Sequence, residues 1–205
     1  MADYGKGKEK KGTLLKRWDD YFFRKFTLRD AIFLGFCAIF IVITRAGLRL
    51  HFNIPGHAMF FMCFFLLLAA GCVPKMWAAT IAGLVAGIVA VLLGMGQGGP
   101  LMLLRFILPG IVIDVARTLF PRLVLSFAAC AVVGVLAAAS RFLTIILPDL
   151  MAGMEWGVVV QHAMVSTFLG MGFGGLGAAL VPAIVRRLRD HNIVKFPAHR
   201  ARLPG

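Results

Sequence analysis

The run AATIAGLVAGIVAVLLG, residues 78–94, holds no charged residue, and its small side chains keep a strict spacing. Ala78, Ala82, Ala86, Ala90 and Gly94 recur every four positions, with Ala79, Gly83 and Gly87 one step further on. Residues four apart share one face of an α-helix, so the run reads as a helix carrying two adjacent stripes of small residues. Such stripes let neighbouring backbones approach closely, which is how helices associate in lipid. Ala31, Gly35 and Ala38 repeat the device near the N-terminus, and Gly170, Gly174 and Ala178 repeat it towards the C-terminus. Closing a bundle is the first use of these faces, and receiving another protein is the second.

The composition places the whole chain in the same setting. Of its 205 residues, 60% are apolar and 15% charged, with a mean hydropathy of +0.87, whereas soluble domains are about half apolar and about a quarter charged. A soluble domain of this length would lack the polar surface to cover so much hydrocarbon. The formal charge of +13 is concentrated in the two end segments and the short turns. That distribution marks membrane topology and argues against a nucleic-acid partner. Cys37, Cys63, Cys72 and Cys130 all fall inside apolar runs and form no CxxC pair, so they read as buried, reduced side chains.

A spanning helix needs about 20 apolar residues. Six segments meet or approach this: 30–50, 57–73, 76–95, 101–119, 122–147 and 157–185. The second is short, and the last two are long enough to tilt or overrun the hydrocarbon. The expected fold is an all-α integral membrane protein with six transmembrane helices in residues 30–185. A basic amphipathic segment at 1–29 and a basic tail at 186–205 flank it, both termini being cytoplasmic. With that orientation 18 of the 22 Lys and Arg residues lie inside: nine at 1–29, Lys75, Arg117, Arg122, and six in the tail. The expected location is the cell (cytoplasmic) membrane, multi-pass, in agreement with the positive-inside bias. Residues 1–29 have no long apolar core and are not expected to be a cleavable leader. Within them Leu14, Trp18, Phe22 and Phe26 recur every four residues among basic neighbours. This marks either a helix lying on the inner leaflet or a solvated topology signal.

Two glycine patterns imitate nucleotide sites and fail. GKGKEKKGT, residues 5–13, lacks the lysine before Thr13 that a phosphate loop requires. Gly170, Gly172 and Gly175 spell G-x-G-x-x-G, but inside an apolar span and not at a strand–helix turn. No G-x-S-x-G, H-E-x-x-H or carboxylate pair within one helix is present, so neither an enzyme nor a cofactor is expected. His51, His57 and His162 invite a metal or haem reading, which the local cations and the non-standard spacing oppose. Asp114 is the one acid deep in a span, about 20 Å below Leu101. It is expected to pair with Arg117, three residues on; a proton site or coupling contact is the functional alternative.

Four arginines fall outside the inner set: Arg45, Arg49, Arg105 and Arg141, each in the outer part of a helix. Arg45 and Arg49 share a face, and for either alone snorkelling to the headgroups is the simplest account. Arg105 changes that balance, because Pro109 leaves its carbonyl without a helical donor. A freed carbonyl beside a cation is tolerated facing protein or water, not lipid. Asn53, His57, Gln97, Glu155, Gln161 and His162 add polar groups at similar depth, while the inner halves of the spans look nearly bare. These ten residues outline an outward-facing pocket. Four arginines against the acids Asp149 and Glu155 point to an anionic or carboxylate-bearing small-molecule substrate, which guanidinium groups hold in bidentate fashion.

Residues 55–114, PGHAMFFMCFFLLLAAGCVPKMWAATIAGLVAGIVAVLLGMGQGGPLMLLRFILPGIVID, join a short second helix, a small-residue third and a Pro-kinked fourth. With the basic leader, the outer polar set and the lack of an ATPase motif, the chain resembles the S components, the substrate-binding membrane subunits of energy-coupling factor transporters. The likeness is one of architecture, along the whole chain. The family's A-x-x-x-A pattern on the first helix, which contacts the coupling subunit, is matched in part by Ala31 and Gly35, with Ala38 continuing the stripe. The resemblance implies capture of a vitamin-like micronutrient outside, with a transmembrane coupling protein, two cytoplasmic ATPases and membrane lipid as partners. Two other classes stay open on the residues: a membrane-embedded enzyme acting on a lipid or prenyl substrate, with His57, Asp114 or His162 in the chemistry, and a stand-alone secondary transporter. The inverted repeats usual in the latter are not evident.

Overall fold

The small residues of the opening run turn inward from Ala78 to Ala90, whereas Gly94 lies past the helix end and is exposed. A computed structural model of the chain describes residues 27–51, 57–73, 75–95, 101–120 and 123–190, the side chains of 48–51, 189 and 190 excepted. The helices are α1 (Leu28–His51), α2 (Ala58–Cys72), α3 (Ala78–Leu92), α4 (Met102–Leu119), α5 (Phe127–Ala139), α6 (Arg141–Met151) and α7 (Trp156–Asp190), with a 3₁₀ turn at Leu123–Leu125. No strand occurs among the described residues. The amphipathic pattern sought at residues 14–26 lies outside them.

In α3 the side chains of Ala82, Ala86 and Ala90 are buried, whereas Leu84, Ile88 and Leu92 are exposed. Large side chains outward and small ones inward is the reverse of a soluble helix, and it suits a surface solvated by hydrocarbon. α3 lies so close to α4 that a Cβ added at Gly83 would sit 2.5 Å from the Phe106 carbonyl oxygen. α5 and α7 meet in the same way, at Gly134, Gly174 and Ala178. α2, apolar all round, is buried among α1, α3, α4, α5 and α7.

Three stretches are long and apolar enough to cross a membrane: Leu28–Gly47, Phe127–Met151 and Trp156–Leu188. The 15 residues of α2 and of α3 span about 22 Å each, shorter than a bilayer core. The segment 122–147 expected as one helix is divided at Ser140. There the serine hydroxyl donates to the Ala137 carbonyl at 2.7 Å, a back-bond that bends helices.

One end of the bundle, where the sequence reading expected the spans to be nearly bare apart from Asp114, holds a polar node. Asp114 and Arg117, expected to pair, make no contact ion pair among the described residues and are electrostatic neighbours only. α4 crosses α3 at Gly110, where an added Cβ would lie 2.9 Å from both Ala79 O and Thr80 Cα. One turn further on, Asp114 therefore faces the first turn of α3, whose N–H groups have no partner within their own helix. Its carboxylate accepts from Ala79 N (3.3 Å), Thr80 N (2.8 Å) and Thr80 Oγ1 (2.7 Å). Arg117 turns the other way and donates from Nη1 to the carbonyls of Val73 (2.9 Å) and Lys75 (3.4 Å) at the end of α2. α4 thus grips the α2–α3 turn from both sides. Within that turn Trp77 has φ +69°, the one non-glycine residue with positive φ among the described residues.

α1 joins the node through Asp30, whose Oδ2 lies 2.7 Å from Lys75 Nζ, the two side chains being 20% and 7% exposed. The same oxygen accepts from Thr27 N at 3.2 Å, closing the first turn of α1. On the far side, Arg186 of α7 donates to Leu125 O at 2.6 Å and lies 5.1 Å from the centre of the Phe127 ring. Breaking the α1 link alone, by Asp30→Asn, is expected to lower stability by about 2 kcal/mol, because one partner of a mostly buried pair keeps its charge. Asp30→Asn combined with Lys75→Met is expected to recover most of that loss, as read from unfolding midpoints of the detergent-solubilised protein.

The Ala31–Gly35–Ala38 stripe divides. Ala38 is buried in the core, whereas Ala31 is exposed and nothing approaches within 4 Å of a Cβ placed on Gly35. The open part of the stripe is its first turn, flanked by exposed Ile32, Phe36 and Ile39.

Candidate functional site

The opposite end of the bundle brings Arg105, Arg141, Thr144, Asp149 and His162 together. Arg105 lies in the first turn of α4, where the N–H groups are unpaired within the helix and a cation gains nothing from the helix dipole. Its half-buried side chain reaches across to α6 and donates from Nε to the backbone carbonyl of Thr144 at 3.4 Å. Thr144 is buried, and its hydroxyl donates to the Arg141 carbonyl at 2.9 Å. Arg105 therefore rests on the first turn of α6, the turn that Arg141 opens.

Arg141 is also half-buried. Its stem lies against α7, with Cδ 3.8 Å from where a Cβ on Gly170 would be, and Met59 of α2 borders the same point. Arg105 is a charged neighbour of Arg141. Neither arginine makes an ion pair with a carboxylate among the described residues. The acid within electrostatic reach of Arg105 is Asp149, two turns further along α6. Its Oδ2 is 3.0 Å from His162 Nδ1 on α7, the Asp149 side chain being 19% exposed and that of His162 60%.

Arg45 meets α4 from α1: its guanidinium carbon is 4.8 Å from the centre of the Phe106 ring, which is wholly buried. The ring face is the electron-rich side that a cation prefers. His57 sits half-buried just before α2, with no side-chain bond to that helix's free N–H groups. Glu155 and Gln161 are exposed at the start of α7. The side chains of Arg49, Asn53 and Gln97 lie outside the described residues.

Of the ten expected residues, Arg49, Asn53 and Gln97 lie outside the described side chains, His57 stands apart before α2, and the other six separate into three groups. Arg105, Arg141 and His162 converge on one cluster, Arg45 stands beside it on Phe106, and Glu155 and Gln161 face outward. Asp149 and Thr144 complete the cluster although sequence reasoning did not include them in the pocket. Asp149 carried a signal, as the single acid on a helix that begins with Arg141, but the backbone carbonyl of Thr144 carries none.

Chemically, the cluster offers guanidinium N–H groups from two helices beside one carboxylate already engaged by a histidine. Guanidinium groups are suited to hold a small oxyanion through charge-assisted hydrogen bonds. A groove of about 720 Å³ runs between α7 and the α5–α6 break, lined almost wholly by apolar side chains including Phe142 and Phe168 and by none of the cluster residues. Thr167 is among the lining residues, with a buried hydroxyl that has no hydrogen-bond partner among the described residues.

No family model, curated protein or solved structure matches this chain.

Proposed function

We propose that the chain captures a small anionic solute at the outer end of a six-span bundle in the cytoplasmic membrane, as the substrate-binding subunit of an importer of the energy-coupling factor type. Both termini are cytoplasmic in this reading. The polar node that gathers Asp30, Lys75, Arg117 and Arg186 is then the inner end, where basic residues belong. Uptake energy comes from a transmembrane coupling protein and two ATPases, with the open first turn of α1 at Ala31 and Gly35 as a docking face.

One observation carries the reading: Arg105, held on the Thr144 carbonyl, and Arg141 are charged neighbours on different helices, and neither makes an ion pair with a carboxylate among the described residues. A cation inside a membrane helix is costly unless it faces water, a partner or a ligand. Two such cations drawn together from different helices repel each other, and an acid bound between them removes that cost. A purely structural role would favour pairing each with an acid of the chain.

The test is binding by the purified protein. A small acidic metabolite that occupies the site raises the unfolding temperature in proportion to the logarithm of its concentration above Kd. Arg105→Gln is expected to weaken that binding by about 2 kcal/mol, roughly 30-fold in Kd. Glutamine can still donate to Thr144 O, so the fold is retained. If no acidic metabolite stabilises the protein and Arg105→Gln leaves cellular uptake unchanged, the reading fails. Turnover of a lipid substrate by the isolated chain would instead indicate an enzyme, and gradient-driven uptake by the chain alone in liposomes a secondary carrier.

A further inference from the structure

We propose that Trp77 is a lipid-interface anchor: its indole lies at headgroup depth in the leaflet bordering the Asp30–Lys75 node, and phospholipid, not the chain, is its partner. This holds whatever the opposite end of the bundle binds.

Trp77 immediately precedes α3, and its φ of +69° and ψ of +13° place it in the left-handed region. Glycine adopts that conformation freely, whereas any other side chain brings its Cβ against the following carbonyl oxygen. A bulky residue persists there only where its surroundings fix the backbone. Here they do so on both flanks. Arg117 donates to the carbonyls of Val73 and Lys75 on one side, and Asp114 accepts from Ala79 N and Thr80 N on the other. The Trp77 carbonyl itself accepts from Ile81 N at 2.9 Å and opens the helix. The turn thus dictates a backbone suited to glycine, and a tryptophan there must be favoured by what its side chain touches. The core does not supply that contact: Trp77 is 41% exposed, and its indole N–H has no acceptor among the described residues.

This end of the bundle fits a phospholipid interface. Leu28 at the start of α1 and Leu119 and Phe120 at the end of α4 are exposed here, together with the basic Arg29 and Arg187. Water disfavours such an apolar rim and hydrocarbon disfavours its cations, whereas the headgroup region accommodates both. An indole suits the same depth, with its ring against the upper acyl chains and its N–H donating to a lipid ester carbonyl. The length of the bundle agrees. Trp156, also exposed, opens α7 at the opposite end, and Arg186 of the same helix donates to Leu125 O at this one. From Trp156 to Arg186 the helix covers about 45 Å, the thickness of a bilayer with both of its headgroup regions.

The experiment reads Trp77 fluorescence in phospholipid vesicles, in a Trp18→Phe, Trp156→Phe variant that keeps Trp77 as its one tryptophan. Phospholipids brominated near the ester end of the acyl chain, or near its middle, quench an indole at their own depth, and aqueous iodide quenches one in water. Trp77 is expected to be quenched more by the shallow bromines than by the deep ones, and less by iodide than free tryptophan is. Deep bromines that quench as strongly as the shallow ones place the indole in hydrocarbon, and iodide quenching equal to that of free tryptophan places it in water. Either result overturns the proposal. Trp77→Gly suits the backbone and removes the indole, so in detergent its unfolding midpoint is expected to stay within about 2–4 °C of the wild type. A larger fall means that the chain itself holds the ring, and overturns the proposal as well.

Discussion

Asp114→Ala is expected to lower the unfolding free energy by about 3 kcal/mol, one of the two largest single-residue effects in this protein. Three donors lose their acceptor together: Ala79 N, Thr80 N and Thr80 Oγ1. Hydrogen bonds to an ionised group contribute about 1.5–3 kcal/mol each, and buried donors left unpaired cost a further desolvation term. Thr80 is only partly buried, which holds the total near the lower end. Asp114→Asn keeps one carbonyl oxygen and is expected to lose about half as much. Unfolding in a denaturing-detergent titration reads both. The same measurement tells the observed arrangement from a local Asp114–Arg117 pair. If the two residues were partners, Arg117→Gln would cost little once Asp114 had been removed. Because each side chain has its own backbone partners, Arg117→Gln is expected to keep most of its cost after Asp114 has been removed, reduced only by the electrostatic coupling of the two.

The second large effect comes from the α5–α7 contact. Gly134→Leu is expected to destabilise by about 3 kcal/mol or to prevent folding, because a Cβ at that position falls on the Ala178 Cβ and 2.5 Å from Gly174 O. Backbone cannot move aside as a flexible side chain can, so α5 and α7 must separate. Gly172→Ala, on the same helix as Gly174 but with nothing within 4 Å of its Cβ, is the control. It is expected to be neutral or slightly stabilising, since alanine favours the helix.

These two sites show what could be read from the sequence and what could not. The small-residue spacing in α3, and of Gly170, Gly174 and Ala178 in α7, was legible because close packing in lipid demands small side chains at helical intervals. It did not say which helix each stripe meets. Ala38 illustrates the gap: it shares a spacing with Ala31 and Gly35, yet the bundle covers it. Asp114 was legible as an acid out of place, and the nearest basic residue in sequence was the natural partner. Its true partners lie 34 and 35 residues away, on a helix end that faces it only because α4 crosses α3 at Gly110.

The candidate site divides along the same line. Arg105 and Arg141 stood out by sequence, since guanidinium groups within apolar helices need a reason. The Thr144 carbonyl that Arg105 reaches could not be anticipated, because every residue has a carbonyl and only the tertiary fold exposes this one. The Asp149–His162 bond spans two helices and depends on how the 152–155 turn brings α6 back onto α7. Ser140 gave no warning that it would divide the fifth segment, since a serine within an apolar run is as common in unbroken helices.

The claim on which the account depends is that Arg105 and Arg141 hold a small acid between them. Native mass spectrometry of the protein released from its own membrane addresses this directly. The account predicts a bound acidic molecule on the wild-type chain, lost from the Arg105→Gln, Arg141→Gln double variant while the unfolding midpoint of the empty protein stays within a few degrees. Wild-type protein that carries no acidic molecule, or a double variant that retains it at the same occupancy, would contradict the account.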